Sequence, residues 1–299
     1  MNIGAPKALF LGTGRALKNW KLAFVLYALN FLFAAVLALP FATVFMKNVS
    51  KSLVGSSLLS GFSYRWYVEF IHADGAYFSS LIPQVILLFA TYIVMEAFLA
   101  GGFFKTFAAG GKAKMAAFFS QGASNFFPIL LVTLTEVILL FLLYEFNAIW
   151  AAANRETARM AVTDYQVFHT ALWRYAAVAM IFFIVSLVTD FVRAAVAIDD
   201  ETFAGKVVRG LSFVMKHPLS SVGVYGGASI FSAAVITGWF YLNSAIRVVD
   251  MNGIVLEIAV GQIFVLLRIF SKLIFYAGEA ALYKENQIEV IKVKPEMLE

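Results

Sequence analysis

The sequence predicts an all-α, polytopic membrane protein: six transmembrane helices arranged as three hairpins, with amphipathic interfacial helices and both termini in the cytoplasm. Three observations carry that prediction. Of 299 residues, 62% are hydrophobic and only 14% charged, at a mean hydropathy of +0.83. A soluble domain carries about 25% charged residues and needs them as a solvated skin. Six stretches also reach the roughly 20 apolar residues that cross a bilayer, and Lys and Arg gather at their ends, more on one side than the other.

Other classes fall away on the same grounds. The composition excludes a soluble enzyme and a disordered chain. There is no Cys, so disulfides, thiolate metal sites and cysteine nucleophiles are absent. The net charge of +5 sits at segment ends and forms no single basic block, which argues against nucleic acid as a partner.

The six stretches are Leu22–Met46, Leu81–Ala100, Pro128–Ile149, Tyr175–Ala197, Leu219–Ala245 and Ile254–Phe275. The first follows Lys7, Arg15, Lys18 and Lys21. Its apolar run is too long for a signal-peptide core and its leader too extended, so it reads as a retained helix. An outer loop over 47–77 carries Tyr64, Trp66, Tyr67 and Phe70, as an interfacial aromatic belt would. The third span continues beyond the membrane through Asn154–Arg159. In the fifth, Gly223 and Gly227 form a small-xxx-small pair for close helix contact. Asn30 and Gln84 are expected to hydrogen-bond across helices.

Six spans put both termini on one side. That side holds fifteen basic residues, among them Lys105, Lys206 and Lys294. The other holds seven: Lys47, Lys51, Arg65, Arg155, Arg159, Arg174 and Arg247. The excess places the termini in the cytoplasm and the chain, as a multi-pass protein, in a cell inner membrane.

Three amphipathic stretches, the first and third of them basic, lead into the odd-numbered spans: Phe10–Trp20, Phe118–Pro128 and Val208–Pro218. Such helices lie in the headgroup layer, apolar side down. The even-numbered spans also end alike, each with one acid followed by small and apolar residues, at Glu96, Asp190 and Glu279. The simplest organisation is one six-helix transmembrane domain over 1–285, with pseudo-repeats at about 8–100, 112–197 and 200–285, and a cytoplasmic tail over 286–299. Asp199, Asp200 and Glu201 precede the third amphipathic stretch and suit a helix N-terminus; a Mg²⁺ site is the alternative.

The amphipathic leader, Lys216-His217-Pro218 at the entry of a span, and the partial match Asn125-Phe126-Phe127-Pro128 carry a likeness. In these the chain resembles a group of bacterial six-span proteins, which includes the membrane domain that accompanies some glycerophosphodiester phosphodiesterases. The resemblance implies a membrane module. It carries over no activity, because no phosphodiesterase domain is present.

Ionisable residues at bilayer depth are the candidate site, since each costs ~2.5–3.5 kcal/mol to insert. In the last span Glu257, Arg268, Lys272 and Glu279 lie 11, 4 and 7 residues apart, which sets them within roughly 60° of one helical face, with Gly261. The stripe is expected to face the bundle interior or a wet cavity. At ~1.5 Å per residue, Glu96, Glu136 and Asp190 reach depths from which they converge on Arg268 and Lys272, with Arg193 one turn from Asp190. Three readings follow. The charges form an ion-pair network that sets helix register; or they line a cavity in which Arg268 and Lys272 meet an anionic lipid headgroup or small solute; or Glu136 relays protons.

No catalytic set stands out: there is no Ser-His-Asp order, HExxH helix or phosphate-binding glycine loop. His72, His169 and His217 match no metal spacing, so neither a metal nor another cofactor is expected. The expected role is non-enzymatic: transport or handling of a lipid or small amphiphile, with membrane lipids as partners. The alternative is an accessory or scaffold subunit among other membrane protein subunits, its buried charges purely structural.

Overall fold

The computed structural model describes residues 3–50, 58, 63–160, 163–246 and 251–293. Lys51, Arg247 and Lys294, counted among the charges above, lie outside them. Every regular element among the described residues is an α-helix: α1 Ala5–Lys18, α2 Lys21–Val49, α3 Tyr64–Ala73, α4 Gly75–Ala109, α5 Met115–Ser124, α6 Phe126–Ala153, α7 Arg155–Met160, α8 Asp164–Ile198, α9 Phe203–Lys216, α10 Pro218–Ala245 and α11 Met251–Val293. Six of them, α2, α4, α6, α8, α10 and α11, are long and apolar enough to cross a membrane. The chain is thus all-helical with the make-up of an integral membrane protein.

The contacts group the chain into two compact units. The first comprises Met1–Arg15, Ala97–Gly226 and Tyr276–Glu299. Its core is aromatic: Phe103, Phe104, Phe107, Phe118, Phe191 and Tyr283 are all buried. Tyr276 stacks on Phe103 at 5.4 Å and meets Phe104 edge-on at 5.0 Å. The short helices predicted to be amphipathic are α1, α5 and α9, and each crosses a long helix at a glycine. A Cβ on Gly12 of α1 would stand 2.6 Å from the Gly278 nitrogen of α11. On Gly122 of α5 it would stand 2.7 Å from the Phe98 oxygen of α4, and on Gly210 of α9 2.7 Å from the Val192 Cα of α8. Only hydrogen fits at these crossings. Gly223, expected to permit close helix contact, meets Ala5 of α1, whose Cβ lies 2.6 Å from an added Cβ.

Helix ends in this unit are held by cations, as the macrodipole favours. Helix α4 stops at Gly110, whose φ of +71° glycine adopts without strain. Arg15 Nη1 donates to the Phe107 carbonyl at 3.1 Å. Lys105 and Lys206 donate to the Ile198 and Val196 carbonyls at the end of α8, at 3.4 and 3.2 Å. The acidic trio plays a different part from the one expected. Thr202, not an acid, caps α9, its hydroxyl accepting from the Gly205 N–H at 3.4 Å. Asp199 is buried and accepts from Tyr283 Oη at 2.7 Å and Gln287 Nε2 at 3.0 Å. Part of the expected tail is helical: α11 runs unbroken to Val293, and the buried Asn286 accepts from the Ile3 N–H at 2.9 Å.

The second unit comprises Ala16–Glu96 and Gly227–Phe275. Part of the expected outer loop is helix α3, whose Ser63 cap accepts from the Trp66 N–H. Trp66 stacks on Phe70 at 4.9 Å, and Phe70 meets Phe41, Phe45 and Phe78 at 5.3–6.1 Å. Trp66 and Phe70 therefore belong to a packed cluster, while Tyr64 and Tyr67 are exposed. Asn48 donates to Asp74 at 2.7 Å and ties the end of α2 to the start of α4. Tyr27 of α2 donates to Gln262 of α11 at 2.6 Å.

Candidate functional site

In the first unit the charges gather on Arg193. Asp190 and Arg193 are three residues apart on α8, hence on one face, and α6 lies against α8. Arg193 Nη1 donates to Asp190 Oδ1 at 2.6 Å and Nη2 donates to Glu136 Oε2. The forked guanidinium thus serves two carboxylates from two spans, a geometry that a lysine ammonium does not reproduce. Each of the three side chains is less than one-fifth exposed.

Glu279 belongs to the same surroundings. It is 0% exposed, and neither carboxylate oxygen has a hydrogen-bond partner. The charges of Asp190, Arg193 and Glu136 reach it, and Tyr225 of α10 feels the Glu279 charge in turn.

The second unit holds a separate pair. Lys272 Nζ donates to Glu96 Oε2 at 2.6 Å and lies 5.8 Å from the centre of the Tyr92 ring, a cation–π contact. Arg268, one turn earlier on α11, is exposed, and among the described residues no hydrogen bond or ion pair reaches it. Glu257 is half-buried near the start of the same helix.

The expected convergence on Arg268 and Lys272 therefore holds only for Glu96. Glu136 and Asp190 meet Arg193 instead, because a residue one turn away and a packed neighbouring helix reach it first. Nor does the α11 stripe have one environment. It passes from exposed Arg268 through half-buried Lys272 to fully buried Glu279, because a constant helical face meets different neighbours along 43 residues.

A further cluster escaped the sequence reading. Arg209 pairs with Glu201 and lies 3.9 Å from Asp199. Arg15 pairs with Glu285 at 2.8 Å. Arg15 and Glu285 are 270 residues apart, and no local pattern joins them.

Comparison of the chain with protein-family models, curated proteins and solved structures gives no match.

Proposed function

We propose that this chain is a multi-pass protein of a cell inner membrane that transports or handles a lipid or small amphiphile, its anionic head bound at Arg268 and Lys272 in a charged cavity in the cytoplasmic half. The observation that carries this reading is Arg268 itself. A guanidinium within a membrane-spanning helix, exposed and without a protein counter-ion, suits a phosphate or carboxylate that accepts from both arms of its fork. Lys272 stands one turn away on the same face, its ammonium paired with Glu96. Exposed Ile263 and Leu267 offer apolar surface for a tail. We further read the six spans as three hairpins with both termini cytoplasmic; the glycine crossings of α1, α5 and α9 support the threefold repeat.

Native mass spectrometry in a mild detergent tests this. Retention of an anionic lipid or solute, lost in Arg268→Ala and weakened in Lys272→Ala, is the expected outcome. Equal retention in parent and variants overturns it. The closed Glu136–Arg193–Asp190 set favours a second reading, an accessory subunit whose charges set helix register. A stoichiometric protein partner with no retained ligand selects that reading.

A further inference from the structure

The cluster in the first unit has an unbalanced charge. Glu136, Asp190 and Glu279 supply three carboxylates, and Arg193 is the one guanidinium among them. Arg193 directs its two Nη groups at Glu136 and Asp190, while its buried Nε has no hydrogen-bond partner, and the trio carries one excess negative charge. Glu279 would add a second, on a side chain with no exposure and with both oxygens unpartnered. Two uncompensated charges buried among the spans are not sustainable in a medium that solvates them so poorly.

The charges that reach Glu279 are those of Asp190, Arg193 and Glu136; helix α9, which packs Phe213 on Tyr283, commits its Arg209 to Glu201 and Asp199. Helix α8 offers Asp190 and Arg193, α6 offers Glu136, and α10 offers the neutral Tyr225. From α1 comes Leu9, beside Gly278. From α4 come Phe103 and Phe104, against Tyr276 of α11. None of these gives Glu279 a cation of its own. A metal ion would need several oxygens converging on one point, and among the described residues no group of acids or histidines does so.

We propose that Glu279 is a proton-binding site: in the closed packing of α6, α8 and α11 its carboxyl takes up one proton from the aqueous phase, forming a single O–H bond, and the cluster then holds one net negative charge. Deprotonation requires that packing to open, so proton binding and the closed state are linked. The site is independent of the headgroup reading at Arg268, and either can fail without the other.

The test uses the full chain in nanodiscs of uncharged lipid, followed by infrared spectroscopy near neutral pH. A deuterium-sensitive band of a neutral carboxyl is expected in the parent, absent in Glu279→Gln and retained in Asp190→Asn. A parent without that band, or a band that survives Glu279→Gln, overturns the proposal. Gln reproduces the shape and neutrality of a protonated carboxyl, so failure of this variant to fold also overturns the proposal.

Discussion

Gln84 donates from α4 to the Val36 carbonyl of α2 at 3.4 Å, the carbonyl that Pro40 leaves without its helical donor. Proline lacks the N–H that would bond four residues back. In a membrane such a group must be answered within the protein, and here a glutamine on another span answers it.

Gln84→Leu is therefore expected to lower stability by about 1 kcal/mol, the usual worth of such a bond between spans. Pro40→Ala restores the N–H, so in the Gln84→Leu background it is expected to recover most of that loss. Thermal unfolding of the four proteins of this cycle in one detergent reads the coupling directly. Additive effects would show that the two groups do not share the Val36 carbonyl.

Arg193→Ala strands Glu136 and Asp190, and breaking a buried pair this way costs ~3–5 kcal/mol. Arg193→Lys is expected to rescue it poorly, because an ammonium lacks the planar fork. Arg193→Leu combined with Glu136→Leu and Asp190→Leu is expected to be more stable than Arg193→Ala, since no lone charge remains. Denaturation midpoints of the purified variants decide the order.

Arg268 and Lys272 are expected to separate. Arg268→Ala removes an exposed side chain and is expected to shift stability by no more than ~0.5 kcal/mol. Lys272→Ala leaves Glu96 without its cation and is expected to cost more, with Glu96→Gln in the same chain restoring part of the loss. Equal melting shifts for the two single variants would contradict this.

The glycine crossings permit a controlled comparison within one helix. Gly12→Ala forces a Cβ against the backbone of Gly278 and is expected to destabilise by ~1–3 kcal/mol. Gly14→Ala, two residues on in α1 with open space around it, is expected to be neutral or stabilising by up to ~1 kcal/mol. Monodispersity and thermal midpoint of the two variants check the contrast.

Much of the architecture was legible because hydropathy is local. A run of twenty apolar residues signals a membrane-crossing helix whatever surrounds it, and all six such helices are present, several reaching beyond the apolar core. The amphipathic stretches became α1, α5 and α9 for the same reason, and Gln84 was marked as a polar residue in need of a partner. Helix α3 was missed because its aromatic residues suit an interfacial belt as well as a packed cluster.

Partner choice is where the sequence reached its limit. Period and depth single out Glu96, Glu136, Asp190, Arg193, Lys272 and Glu279, since charge within an apolar run is visible residue by residue. Which acid meets which cation depends on helix rotation and on crossings a few ångströms apart, and these are set by glycines whose partners lie far away in the chain. Gly12 with Gly278, Arg15 with Glu285 and Asp199 with Tyr283 are such pairs. The sequence by itself determined that this chain is a helical membrane protein with charges it must manage. The tertiary structure alone decided that Arg193 rather than Arg268 collects the acids, and that Glu279 is left buried without a partner. The physical reason is that burial and pairing belong to the three-dimensional surroundings of a side chain, which hydropathy along the chain does not encode.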